Sequence, residues 1–135
     1  MVVLDTSIII KWYQPGEKAN EDALKLKEKH ALGDETIHVP TLLFWELTNA
    51  LAFKKEITQK DIKEILGNLF MLGLVVDEFY QEEFAQAFFL ARKFGISVYD
   101  ATYIALAQKL GCQFITADRK LQRKVKPLKF VKLLE

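Results

Sequence analysis

Residues 2–12 read VVLDTSIIIKW: an apolar triplet, one aspartate, two hydroxyl side chains and a second apolar run. The triplet predicts a short buried strand, and the run after Asp5 predicts a helical segment that Pro15 and Gly16 stop. A carboxylate therefore stands where a buried strand ends. The rest of the chain repeats the same alternation. Residues 37–40 (IHVP), 74–77 (LVVD) and 113–118 (QFITAD) read as short apolar strands, and 128–134 (LKFVKLL) as a fifth. Between them, residues 17–32, 41–55, 58–72, 81–95, 97–111 and 119–125 carry helical patterns. Thr58 is the expected cap of one, and Gly33, Gly73, Gly95 and Gly111 the expected stops. Short strands alternating with longer amphipathic helices predict an α/β fold with a mainly parallel sheet of four to five strands and helices on both faces.

The 135 residues suit one domain spanning 1–135, and half of them are hydrophobic, so order is expected nearly end to end. One cysteine, Cys112, allows no internal disulfide. With no leader pattern and no long apolar run, the expectation is a soluble cytoplasmic protein without a membrane segment. The net charge of +1 excludes the strongly basic balance of a dedicated nucleic-acid binder. The charge is nevertheless uneven. Residues 109–135 hold eight Lys/Arg against two acids, or +6, which leaves −5 on the preceding 108. This basic end reads either as a solvated helix face or as a phosphate-contacting rim.

In a parallel sheet all strand carboxyl ends share one edge, and ligands bind there where the strand order reverses. Asp5 and Asp118 each follow a strand and so fall on that edge. Glu46, in TLLFWELTNALAF, aligns with Leu43, Ala50 and Phe53, which predicts a carboxylate on an apolar helix face. Asp100, in SVYDATYIALAQ, aligns with Tyr103, Ile104 and Ala107 in the first turn of its helix, where the dipole favours an anion. Each acid also has a structural reading. Asp5 and Asp118 suit helix N-caps, Ser97 with Asp100 suits a capping box, and Glu46 suits a buried salt bridge. Taken together, four mutually repelling carboxylates become favourable once a divalent cation binds them. Oxygen-only ligands suit Mg²⁺ or Mn²⁺ rather than zinc, and His30 and His38 read as surface or strand-end residues.

The segments VVLDTSIIIKW, VPTLLFWELTNAL, ISVYDATYIALA and FITADRKL resemble, in order and spacing, the four signature segments of the PIN domain family, particularly its small VapC-type toxin members. By that resemblance Asp5, Glu46, Asp100 and Asp118 match the family's acidic quartet. Thr6 and Ser7 match its hydroxyls after the first Asp, with Ser7 expected near the metal or its waters, and Thr116 matches the hydroxyl before the last Asp. The resemblance implies a three-layer α/β/α fold and metal-dependent RNA cleavage by a toxin of a toxin–antitoxin pair. It also implies a small antitoxin partner and a homodimer or higher homo-oligomer. On that reading Asp5, Asp100 and Asp118 hold Mg²⁺ or Mn²⁺, and Glu46 either completes the shell through a water or acts as general base. Arg119 and Lys120, directly after Asp118, are candidate RNA contacts.

Trp12 and Tyr13 read as packing residues, with base stacking as the alternative. On the helix of residues 81–95, Phe84, Phe88 and Ala91 form the expected core stripe. Phe79, Phe89 and Phe94 point elsewhere, which suggests full burial or a subunit contact. Two other functions compete: a phosphoacceptor receiver-like signalling domain, with Asp77 as acceptor, and a PIN fold that binds RNA or protein without catalysis.

Overall fold

The structure is a computed structural model that describes residues 1–14 and 18–134. The expected stop at Pro15 and Gly16 lies outside the described residues. Five strands form one sheet: β1 (Val2–Leu4), β2 (Ile37–Pro40), β3 (Val75–Asp77), β4 (Gln113–Thr116) and β5 (Val131–Leu133). Their order is β3-β2-β1-β4-β5, and every pairing is parallel. The helices are α1 (Thr6–Ile9), α2 (Lys18–Ala31), α3 (Leu42–Ala52), α4 (Gln59–Met71), α5 (Gln81–Phe94), α6 (Val98–Leu110) and α7 (Arg119–Lys124), and a 3-10 turn at Ile10–Tyr13 extends α1.

The side-chain alternation of β1 builds two cores. Val2 and Leu4 face a cluster with Ile8, Ile37, Leu43, Leu47 and Leu69, while Val3 faces one with Leu90, Ile104, Phe114 and Leu121. These are the two interfaces of an α/β/α sandwich, as the sequence predicts. β1 is buried on both faces because it lies in the centre of the sheet. Strand order reverses around it, so the crevice for a ligand opens at the carboxyl ends of β1 and β4.

Local signals set the helix ends. Thr58 and Asp61 make a full capping box on α4, and Gly95 and Gly111 close α5 and α6 at φ of 64° and 65°, a left-handed conformation that glycine adopts freely.

Four expectations are corrected by packing. The core side of α5 is Ala87 with Leu90, whereas Phe84 and Phe88 are 58% and 54% exposed. Helix α5 packs mainly on α6, and Ala87, Ala101 and Ala105 share one cluster, so small residues meet there; Phe84, Phe88 and Phe89 lie outside, while Phe79 and Phe94 pack against the cluster partly buried. On α3 the buried stripe is Leu43, Leu47 and Leu51; Glu46 sits half-buried at its margin, and Phe53 is exposed because it ends the helix. His38 is not at the surface but buried within β2, where Nδ1 lies 2.8 Å from Asp77 Oδ2 on β3. His30 fastens the α2–β2 connection, accepting from the Ile37 N–H at Nδ1 and facing the Leu72 carbonyl at Nε2. Trp12 is buried and donates from Nε1 to the Ala23 carbonyl, so it packs as expected.

Candidate functional site

Asp5 directly follows β1 and is 6% exposed. It occupies the N-cap position of α1, yet its side chain makes no capping bond. The carboxylate points instead to β4. Ser7 Oγ donates to Oδ1 at 2.5 Å and Thr116 Oγ1 donates to Oδ2 at 2.6 Å. Each hydroxyl in turn accepts a backbone N–H from the loop after β4, Ser7 from Ala117 and Thr116 from Asp118. The two hydroxyls therefore knit the ends of β1 and β4 together around one acid. Burial pushes Asp5 up from 3.8 to about 6, although both hydroxyl bonds pull the other way.

Asp118 follows β4 on the same edge and caps α7, its Oδ1 accepting from the Leu121 N–H at 3.0 Å. The capping reading thus holds for Asp118 without removing it from the site. Asp100 is half-buried in the first turn of α6. Its N–H donates to Ser97 Oγ at 3.0 Å, but the reciprocal bond of a full capping box is not made, so its carboxylate stays free of that duty. Burial, then Asp118, then Glu46 raise the Asp100 pKa, and Asp100 in turn adds to the rise of Asp5. Asp100 is the acid through which the charges of the other three meet.

Glu46 reaches this group from α3. Its Oε1 accepts from Tyr103 OH at 2.5 Å and from Thr6 Oγ1 at 3.0 Å. The buried salt bridge considered for Glu46 is not made: among the described residues no ion pair involves any of the four acids. Tyr103 is the site residue that sequence reasoning missed. Its signal was its place one turn after Asp100, where it read only as part of an apolar face. Burial and the Glu46 charge raise its pKa far above the ordinary tyrosine value, so the phenol remains a donor. Thr6 and Ser7 are neighbours in the chain but serve different acids, because a helix turns about 100° per residue.

The donor set fits a hard divalent cation. It is all carboxylate and hydroxyl oxygen, it is negatively charged, and its like charges raise the cost of ionising Asp5 and Asp100 in a cation's absence. Among the described residues no three His, Cys, Asp or Glu side chains stand close enough to hold a metal ion as placed, so the fit lies in the chemistry of the donors and not in a preformed cage. Arg119 and Lys120 are exposed at the start of α7, directly beyond Asp118. Asp77, the acceptor required by the signalling alternative, ends the outer strand β3, two places from β1, and has one oxygen occupied by His38. That alternative is set aside.

A family model described as PIN domain matches residues 2–127. The chain is 33% identical to Ribonuclease VapC3 of Pyrobaculum aerophilum over 128 residues, 91% of this chain and 93% of that protein. Its fold is shared with the Mycobacterium tuberculosis toxin VapC20, a sarcin-ricin loop cleaving toxin, at a TM-score of 0.70 and 17% identity over 93% of this chain and 95% of that one. A toxin–antitoxin complex from Klebsiella pneumoniae matches at a TM-score of 0.69 and 15% identity, covering 97% and 95% of the two chains.

Proposed function

This chain belongs to the PIN domain family; within it, we propose that it is a Mg²⁺- or Mn²⁺-dependent endoribonuclease, the toxin of a VapBC-type pair. The observation that carries this reading is the group of Asp5, Glu46, Asp100 and Asp118 at the strand-order reversal, unpaired with any described cation of the protein. The 33% identity to a named ribonuclease over most of both chains supports it.

Asp5, Asp100 and Asp118 would hold the cation, with Glu46 beside them. When bound, such an ion supplies Lewis-acid activation of water and neutralises charge on the phosphate. The protein's own share is placement. Ser7 and Thr116 keep Asp5 in one orientation, the α7 cap restrains Asp118, and Tyr103 with Thr6 restrains Glu46. Arg119 and Lys120 would draw the RNA backbone toward an otherwise repelling acidic edge. The reading includes a single domain over residues 1–135, a cytoplasmic location, a small antitoxin, and self-association through the exposed phenylalanine face of α5.

The test is cleavage of an end-labelled random-sequence RNA pool by purified protein with Mg²⁺, Mn²⁺ or EDTA. Cleavage that needs the metal and disappears in Asp5→Asn and Asp100→Asn is the expected result. Cleavage that persists in EDTA or in both variants, or an inert wild type, overturns the proposal.

A further inference from the structure

Tyr103 lies on α6 one turn beyond Asp100, but its hydroxyl serves a carboxylate on α3. Glu46 Oε1 takes two donors, Tyr103 OH at 2.5 Å and Thr6 Oγ1 at 3.0 Å, which fills its two acceptor positions. No donor among the described residues reaches Oε2. No buried side-chain oxygen or nitrogen among them lacks a partner, so the unpartnered Oε2 is not buried and remains accessible. The phenol cannot easily withdraw. Its residue is 1% exposed, and the ring stacks on Phe114 of β4 with centroids 5.9 Å apart and planes 12° from parallel. Thr6 closes the arrangement, its hydroxyl lying 3.3 Å from the phenol oxygen. Three elements, α1, α3 and α6, thus converge on one carboxylate oxygen.

We infer that Tyr103 is a positioning residue that, with Thr6, anchors Glu46 by Oε1 and presents Oε2 alone to a bound divalent cation or its water. This deepens the metal-dependent reading above and rests on it. A carboxylate without those donors can rotate about its terminal bond and exchange its oxygens. The anchored one meets the ion with a single oxygen already in place, and less ordering is lost on binding.

The experiment is Mn²⁺ binding by isothermal titration calorimetry, with metal-free melting temperature recorded alongside. Tyr103→Phe keeps the ring on Phe114 and removes only the hydroxyl. It is expected to weaken Mn²⁺ binding by about tenfold, at the lower end of losses for residues that orient metal ligands. In a Glu46→Gln background the same change should produce no further loss, because the effect passes through Glu46. Thr6→Val, at a half-exposed position, removes the second donor and repeats the test should Tyr103→Phe fail to fold. If the wild type binds Mn²⁺ and neither Tyr103→Phe nor Thr6→Val weakens it, or if Tyr103→Phe weakens it equally in the Glu46→Gln background, this inference falls and the metal reading stands. If the wild type binds no Mn²⁺, the metal reading fails and this inference with it.

Discussion

Asp5 and Thr116 are separated by 111 positions in the chain and joined by a 2.6 Å hydrogen bond from the threonine hydroxyl to Oδ2. The parallel register of β1 and β4 makes the contact: Leu4 pairs with Ile115, so the next residue of each strand falls side by side. Thr116→Val keeps the shape of this fully buried side chain but removes a donor to a charge and an acceptor for the Asp118 N–H. It should cost about 1–3 kcal/mol in urea denaturation at neutral pH. A loss below about 0.5 kcal/mol would show that the bond adds nothing to stability.

Asp5 sets a pH dependence. Its pKa is raised from 3.8 to about 6, so the folded state holds a proton that the unfolded chain has released between those values. Stability is therefore greatest below pH 3.8, as far as this group is concerned, and is lost as pH rises through about 6, after which the curve is flat. The shift corresponds to roughly 3 kcal/mol at 1.36 kcal/mol per unit. Asp5→Asn should be more stable than wild type at pH 7.5 and should lose most of that advantage at pH 4. Denaturant midpoints at the two pH values measure it, and equal differences at both would refute the assignment.

If the proposed metal site is right, Asp100 links metal to stability. Burial, Asp118 and Glu46 all disfavour its charge, so Asp100→Asn should melt higher than wild type without metal. Wild type should gain about 2.7 kcal/mol in Mn²⁺ at a hundred times its dissociation constant, while the variant gains little. Identical Mn²⁺ responses would leave Asp100 outside the metal site.

Arg119 and Lys120 are exposed and precede no described ion pair of their own. Replacing both with alanine, in an Asp100→Asn background expected not to cleave, should weaken single-stranded RNA binding irrespective of sequence. The logarithmic salt slope should fall by about 1.4, or 0.7 per lost phosphate contact. An unchanged slope places the RNA elsewhere.

The outer face of α5 offers the last test. Phe84 and Phe88 stand one turn apart, with Arg92 stacked 4.8 Å over the Phe88 ring. If this face joins two copies, Phe84→Glu with Phe88→Glu should convert a dimer to a monomer in light scattering while leaving helicity intact. A wild type that is already monomeric, or a variant that stays dimeric, removes the assignment.

Element types were readable because their signals are local. Strand alternation, the Thr58 cap and the glycines after α5 and α6 depend on residues a few positions apart. The positions of Asp5 and Asp118 were readable for a related reason: in a parallel sheet, a residue just after a strand lies on the ligand edge whatever the strand order, whereas Glu46 and Asp100 were placed by the period of their helices. What eluded the sequence involved partners. The His38–Asp77 pair spans two strands, and nothing near His38 announces it. Ala87 rather than Phe84 faces inward because α6 brings alanines to that contact, and the period of α5 alone does not say which side meets them.

The amino-acid order by itself determined the alternating elements, the parallel sheet and the four carboxylates, since these follow from hydrophobic period, capping and strand-end placement. Only the tertiary structure decided which hydroxyl serves which acid. Ser7 and Thr116 hold Asp5, and Thr6 and Tyr103 hold Glu46. A hydrogen bond requires a donor within about 3 Å and correctly aligned, and that is set by helix rotation and strand register across most of the chain's length, which no local pattern of residues contains.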